Sequence, residues 1–163
     1  MEQAIFAAGC FWGIQFYFDQ VPGVIKTTVG YTGGHTENPS YEDVCSHTTG
    51  HAEATLIEFD PKDVTYEELL IHLFRIHDPT QLNRQGPDIG DSYRSAIFYT
   101  NDNQRQIAED YISQISMSIE NKEPIVTEVT KLAKFYEAED YHQKYTERTG
   151  RGMCHVAYEP IKQ

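Results

Sequence analysis

The sequence has no run of about 18 consecutive apolar residues, so we expect no helix that crosses a membrane. Basic residues are also scarce, since 13 Lys and Arg stand against 25 Asp and Glu, for a formal net charge of -12. This excess of negative charge opposes binding to phosphate backbones and to anionic lipid surfaces. We therefore expect neither a nucleic acid nor a membrane as a partner.

Cysteine is rare as well, and Cys10, Cys45 and Cys154 form neither a C-x-x-C motif nor a paired disulfide framework. The spacing of the histidines and cysteines does not match a zinc site, so we expect no bound metal. This cysteine usage predicts a reducing, cytoplasmic compartment. The three residues before Cys10 are small, as at a lipoprotein cleavage site, but Glu2 stands where a signal peptide carries positive charge. We expect no signal peptide.

The length and a hydrophobic content of 39% are typical of one globular domain, and no internal repeat interrupts the chain. The apolar patterns predict strands at 2–8, 24–32, 51–59, 96–99 and 125–129, and helices after Cys10, after a capping box at Thr65 and Glu68, at 101–120 and at 139–146. Long loops are predicted at 33–50 and 78–92. We predict an α+β fold over residues 1–163, a two-layer sandwich with a ferredoxin-like mixed sheet, and a flexible coiled tail at 147–163.

Cys10 is placed by this pattern at a turn between a strand and a helix. The unpaired N–H groups at the start of a helix stabilise a thiolate, which is the nucleophilic form of cysteine. Gly9 and Gly13 would let a ligand approach the backbone, and Phe11 and Trp12 could line an apolar pocket. By position alone, a reactive cysteine and a buried structural cysteine fit equally well.

The five residues Gly9-Cys10-Phe11-Trp12-Gly13 resemble the nucleophile motif of the A-type peptide methionine sulfoxide reductases. Further segments that resemble this family follow in the family's order. They are GYTGG at 30–34, NPSYEDVC at 38–45, TGHAE at 49–53, HDPT at 77–80, QGPDIG at 85–90, YRS at 93–95 and AEDYHQKY at 138–145. The resemblance covers the chain from residue 5 to about 155, and as a set these motifs are highly specific.

The resemblance implies roles for individual side chains. Cys10 would be the nucleophile, and Glu53 would be the essential acid, held protonated by apolar surroundings. Tyr41 and Tyr93 would hydrogen-bond the sulfoxide oxygen, and Asp88 would help to order the site. Without the resemblance, Glu53 would be read as a surface glutamate.

The resemblance also implies the reaction, the reduction of the S epimer of methionine sulfoxide, free or in oxidised proteins and peptides, through a sulfenic acid on Cys10. Phe11 and Trp12 would hold the methyl group of the substrate. Cys154, in a glycine-rich tail, is the candidate resolving cysteine that would form a disulfide with Cys10. The family often has a tyrosine or another polar residue where Met153 stands here, and no further cysteine follows Cys154. Regeneration of the Cys10 thiol would need an external thiol reductant such as thioredoxin. The resemblance implies no bound cofactor, and it favours a monomer.

Two other functions remain open at this point. A cysteine hydrolase or acyltransferase would pair Cys10 with a histidine base such as His51. A noncatalytic module could bind methionine-containing peptides through an aromatic pocket and would need no reactive thiol. We interpret Cys45 as structural and His142 as a packing or hydrogen-bonding residue.

Overall fold

The computed structural model describes residues 1–118, 123–152 and 157–161. The strands in these residues are β1 (Glu2–Ala8), β2 (Val24–Thr32), β3 (Ala52–Phe59), β4 (Arg84–Gln85), β5 (Asp88–Ile89), β6 (Ser95–Tyr99), β7 (Glu128–Lys131) and β8 (Phe135–Glu137). The helices are α1 (Phe11–Asp19), α2 (Tyr41–Cys45), α3 (Tyr66–Ile76), α4 (Asp102–Ser118) and α5 (Tyr145–Thr149), with short 3-10 turns at Asp91–Tyr93 and Asp140–His142.

Six of these strands form one sheet in the order β7-β6-β1-β3-β2-β8. Neighbouring strands in this sheet are antiparallel, except that β7 is parallel to β6. β1 and β2 flank β3, and β3 and β6 flank β1, so α1 and α3 each connect two strands that enclose a third. These two split β-α-β units are the ferredoxin-like topology, and the mixed α+β fold predicted from the sequence is confirmed.

The core forms on both faces of the sheet because β1 is apolar on both sides. Ala4, Phe6 and Ala8 face α1, α3 and α4, whereas Ile5 and Ala7 face the opposite side. The helical side is the larger core. It includes Ile14, Tyr17 and Phe18 of α1 and Leu69, Leu70 and Leu73 of α3. Apolar residues at this helical spacing place one stripe of each helix against the sheet.

Several local predictions are confirmed. β1 and β2 have the predicted bounds, and Thr65 and Glu68 form the predicted capping box at the start of α3. β7 was misplaced, since it covers Glu128–Lys131 rather than 125–129. The predicted helix at 139–146 is instead a 3-10 turn followed by α5, which extends to Thr149 and therefore includes the first residues assigned to the tail. The last residues of the helix predicted at 101–120 lie outside the described residues.

Short elements inside the predicted loops were missed. α2 lies within 33–50, and the two-stranded hairpin of β4 and β5 and a 3-10 turn lie within 78–92. β8, on the edge of β2, was also missed. In the part of the chain that is described, no helix is both long and apolar enough to cross a bilayer. The elements missed in the loops carry Tyr41, Asp88 and Tyr93, three of the side chains predicted for the site.

Candidate active site

Cys10 lies at the predicted turn, as the N-cap residue of α1, and only Gly9 separates it from the end of β1. The turn depends on Gly9, whose φ of +97° is a left-handed conformation that favours glycine. It is also tightly packed, because a Cβ added to Gly9 would lie 2.8 Å from Cβ of Gln85, the last residue of β4. Cys10 itself is half-buried. The β4–β5 hairpin is therefore seated directly beside the cysteine.

Glu53 lies near the start of β3 on the face that carries α1, and its side chain is only 2% exposed. The backbone N–H of Phe11, the first residue of α1, donates a hydrogen bond of 3.2 Å to Oε1 of Glu53. Burial raises the pKa of Glu53 from 4.5 to about 8, the Phe11 hydrogen bond opposes this rise, and the charge of Asp88 adds to it. At neutral pH the carboxyl group keeps its proton, next to the helix end that carries Cys10.

Two tyrosines surround the same carboxyl group. Tyr41 is the first residue of α2, Tyr93 ends the 3-10 turn Asp91–Tyr93, and both are half-buried. Burial raises the pKa of Tyr41, as do a hydrogen bond with the Cys45 thiol and the charge of Glu53. Burial also raises the pKa of Tyr93, and the charge of Glu53 adds to it. Both phenols therefore remain hydrogen-bond donors throughout the physiological pH range.

The remaining predicted groups converge on the same place. The charge of Asp88, in β5, helps to raise the pKa of both Glu53 and Tyr93. The charge of Cys10 also contributes to the raised pKa of Tyr93. The structure thus brings Cys10, Glu53, Tyr93 and Asp88 together from four separate segments. Cys45, which we interpreted as structural, is half-buried beside Tyr41.

One residue that holds Tyr41 was not singled out from the sequence. Oε2 of Glu139 accepts a hydrogen bond of 3.0 Å from the backbone N–H of Tyr41, and Oε1 accepts one of 2.9 Å from the hydroxyl of buried Tyr31. A capping box between Ser40 and Asp43 also fixes the start of α2. Glu139 lies in the segment AEDYHQKY at 138–145, so the resemblance marked the region but not this role.

The aromatic residues after Cys10 have different surroundings. Phe11 is 1% exposed and its ring packs 5.8 Å from that of Tyr31, whereas Trp12 is half-buried. The Trp12 indole N–H donates to Nδ1 of His142 at 2.9 Å, and Tyr145 stacks on the indole at 3.9 Å between ring centroids. The prediction that His142 packs and hydrogen-bonds is confirmed. Trp12 therefore supplies the more accessible apolar surface next to the cysteine.

His51 does not form the pair with Cys10 that a cysteine hydrolase would need. Its ring is buried, Nδ1 accepts a hydrogen bond from the N–H of Gly34 at 3.0 Å, and Nε2 donates to the carbonyl of Thr36 at 2.8 Å. Both ring nitrogens are therefore engaged by the backbone of the 33–50 loop. Among the described residues, no group of three or more His, Cys, Asp and Glu side chains could hold a metal ion.

Cys154 lies outside the described residues, but the chain close to it is described. Gly152 lies against the indole of Trp12, since an added Cβ would be 3.1 Å from Cε3 and 3.2 Å from Cβ of Trp12. Two residues span at most about 7 Å of chain. Gly152, the described residue two positions before Cys154, therefore contacts Trp12, which follows Cys10 by two positions in α1.

This α+β fold thus places a half-buried thiol at a helix N-terminus beside a protonated carboxyl group and two phenols, an arrangement suited to a thiol-dependent oxidoreductase. Comparison with known proteins makes the class specific. The chain matches the family model for peptide methionine sulfoxide reductase over residues 2–163. It is 54% identical to the peptide methionine sulfoxide reductase MsrA of Methanosarcina acetivorans over 150 residues, 92% of this chain and 80% of that protein.

Solved structures agree with this comparison. Methionine sulfoxide reductase A of Corynebacterium diphtheriae has a TM-score of 0.82 and 37% identity, with 94% of this chain and 77% of that chain covered. Reduced Mxr1 from Saccharomyces cerevisiae has a TM-score of 0.83 and 32% identity, with 97% and 92% covered. The chain belongs to the peptide methionine sulfoxide reductase family. It is an oxidoreductase that reduces methionine sulfoxide to methionine.

Proposed function

We propose that this chain reduces the S epimer of methionine sulfoxide by attack of the Cys10 thiolate on the sulfoxide sulfur, while Glu53 protonates the departing oxygen. The observation that carries the proposal is the state of Glu53, a buried carboxyl group with a pKa of about 8 that accepts a hydrogen bond from the first N–H of the helix capped by Cys10. A sulfoxide oxygen leaves only when its growing negative charge is protonated or strongly hydrogen-bonded. A carboxylic acid that is still protonated at pH 7 meets this need.

The chemical balance of the first step is simple. The Cys10 sulfur takes the oxygen of the substrate and becomes a sulfenic acid, while the substrate sulfur gains two electrons and leaves as methionine. The proton that Glu53 delivers to the oxygen offsets the proton that the Cys10 thiol gives up. Tyr41 and Tyr93 donate hydrogen bonds to the same oxygen, since both are kept protonated beside Glu53. Asp88 helps to set the electrostatic balance of this group.

Specificity for one epimer follows from placing the substituents of the sulfur against different walls. We assign the oxygen to the side of Glu53 and the two tyrosines, and the methyl group to the apolar side of Trp12, which Phe11 supports from the core. The opposite epimer would exchange these positions and leave its oxygen against an indole face. Burying an oxygen without a hydrogen bond costs about 1–3 kcal/mol, which disfavours that epimer.

Cys154 is proposed to regenerate Cys10. Its thiol condenses with the sulfenic acid, which forms the S–S bond, breaks the S–O bond and releases water. A disulfide needs Cα atoms within roughly 7 Å of each other. Gly152, two residues before Cys154, contacts Trp12, two residues after Cys10, which supports this pairing. An external dithiol, thioredoxin in our proposal, then reduces the disulfide. Mxr1 from Saccharomyces cerevisiae has been solved in complex with Trx2.

The wider setting is proposed on the same basis. We propose a cytoplasmic protein of one domain that acts as a monomer, as its resemblance to the family implies. Its substrates would be oxidised proteins and peptides as well as free methionine sulfoxide, since Trp12 and the hairpin beside Cys10 leave the thiol half-exposed. No bound cofactor takes part in any of these steps.

The test mixes the reduced protein with each epimer separately, without added reductant, and counts methionine formed and thiols lost by mass spectrometry. One methionine per chain from the S epimer, loss of two thiols and a peptide linking residues 10 and 154 are expected. Cys154→Ser should still make one methionine and lose one thiol. Methionine formation by Cys10→Ser, or equal yields from both epimers, would contradict the proposal.

A further inference from the structure

The chain that follows Cys154 is docked on the helical layer through Tyr158. The Tyr158 ring packs edge-on against Tyr17 of α1, with ring centroids 5.6 Å apart, and lies 5.7 Å from the ring of His72 of α3. Arg75, also in α3, donates a side-chain hydrogen bond to the backbone carbonyl of Glu159. One ring and one carbonyl of the C-terminal segment are thus held by two helices of the core.

Three side chains of the helical layer contact the segment around Tyr158, namely Tyr17, His72 and Arg75. We call this set the socket. Tyr17 and His72 are each 2% exposed, and the Tyr17 hydroxyl lies 2.6 Å from Nδ1 of His72. Arg75 donates to the same hydroxyl at 3.5 Å, so Tyr17 donates its own proton to the histidine. Burial lowers the pKa of His72 to about 4, which keeps its ring a neutral acceptor at pH 7. The socket is therefore fixed by core side chains.

A second contact holds the chain on the other side of Cys154. Gly152 lies against Trp12, and Tyr158 lies against Tyr17, so both contacts are made with α1. Trp12 and Tyr17 are five residues apart on one helix, about 7–8 Å along its axis. The six Cα–Cα steps from Gly152 to Tyr158 could extend about 20 Å, yet both of these residues contact α1, the helix that Cys10 caps.

We propose that the socket formed by Tyr17, His72 and Arg75 positions the resolving thiol, because docking of Tyr158 limits the volume that the tethered Cys154 can sample and thereby speeds formation of the disulfide with Cys10. This inference rests on the proposed function, in which Cys154 condenses with the Cys10 sulfenic acid and releases water. A thiol on a stretch fixed at both ends samples a smaller volume than one on a free tail, so its effective concentration at Cys10 is higher. The socket takes no part in methionine formation, which precedes the disulfide.

The test separates these two steps in a single turnover with the S epimer. Rapid acid quenching and alkylation give the rates of methionine formation and of disulfide formation in the wild type and in Tyr158→Ala. We expect an unchanged rate of methionine formation, disulfide formation slower by about three- to tenfold, and an accumulated Cys10 sulfenic acid that a sulfenic-acid reagent traps. A general loss of structure would slow both steps alike.

Two matched variants control for the change in sequence. Tyr158→Phe keeps the ring that packs in the socket, and Glu159→Ala removes an exposed side chain whose backbone carbonyl, rather than its carboxylate, binds Arg75. Both should form the disulfide at the wild-type rate. Arg75→Gln weakens the socket from the helix side, and should slow disulfide formation even if Tyr158→Ala does not fold.

Other outcomes distinguish this proposal from the function on which it rests. Disulfide formation that is as fast or faster in both Tyr158→Ala and Arg75→Gln would overturn the positioning role, because docking would then be neutral or restraining. Cys154→Ser is measured in parallel. If it still loses two thiols per turnover, Cys154 is not the resolving cysteine, and it is the regeneration step of the proposed function that fails.

Discussion

Replacing Glu53 with glutamine should make the fold more stable at alkaline pH even though it removes the proposed acid. Burial raises the pKa of Glu53 from 4.5 to about 8, so between these values the folded protein holds a proton that the unfolded chain has released. The stability linked to this proton is complete below pH 4.5 and is lost as pH rises toward 8, at about 1.4 kcal/mol for each pH unit. The full loss is on the order of 5 kcal/mol.

Glutamine cannot ionise, so Glu53→Gln escapes this loss. Its side-chain oxygen can still accept the hydrogen bond from the Phe11 N–H, but its buried NH2 group adds donors that cost about 1–3 kcal/mol at every pH when left without partners. The test therefore follows the difference in unfolding free energy between Glu53→Gln and wild type, and asks how this difference changes with pH. The constant cost of the glutamine donors cancels in that change. Between pH 5 and pH 8.5, the free energy of unfolding of Glu53→Gln should rise relative to wild type by about 4 kcal/mol.

Urea unfolding of the reduced proteins at both pH values measures this change. With a slope of about 2 kcal/mol per molar urea, the midpoint of Glu53→Gln should move by roughly 2 M relative to wild type. The same comparison in a Cys10→Ser background excludes titration of the neighbouring thiol. A stability difference that stays constant within about 1 kcal/mol across this range would refute the reasoning, because Glu53 would then be ionised in the folded protein at neutral pH.

The remaining predictions concern catalysis and packing. The rate of methionine formation in a single turnover, measured by stopped flow, should fall as pH rises above about 8, where Glu53 loses its proton. Glu53→Gln should be slower by about 10²- to 10⁴-fold and should lack this pH dependence. Tyr41→Phe and Tyr93→Phe should each slow that step by about 10- to 100-fold with little change in unfolding free energy, since each loses one hydrogen bond to growing charge. Gly9→Ala should lower the free energy of unfolding by about 1–3 kcal/mol, because alanine is strained at a φ of +97°. Its thermal midpoint and its activity should fall with it. Leu73→Ala should lower the free energy of unfolding by about 2–5 kcal/mol without a specific effect on activity, because Leu73 is fully buried in the helical-side core.

The position of Cys10 was predictable because it depends on neighbours in the chain. An apolar run, then Gly9, then the stretch from Phe11 predict a strand, a break and a helix in that order. The structure has all three, and the break is a left-handed glycine. The capping box at Thr65 is equally local. Such features are decided by backbone sterics and by hydrogen bonds that span three or four residues, so a single sequence contains the information.

The short elements near the site were not predictable in this way. The capping box of Ser40 and Asp43 is a local signal for the start of α2, but five residues are too few to form a stable helix alone. α2 is also held by Glu139, which lies 98 residues from Tyr41. β8 has three residues and exists because it pairs with the edge of β2. Elements of this length gain their stability from tertiary contacts, so their own sequence carries little signal.

The sequence by itself determined the α+β class and the strand-to-helix turn at Cys10, and its matched motifs pointed to the side chains that we propose for the site. Only the tertiary structure decided that Glu53 is buried against the first N–H of α1, 42 residues from Phe11 in the chain, and so holds its proton. It also decided the contacts of Gly152 and Tyr158 with α1. The physical reason is that burial and electrostatic environment depend on which distant segments pack together, and the pKa of a carboxyl group follows from that packing.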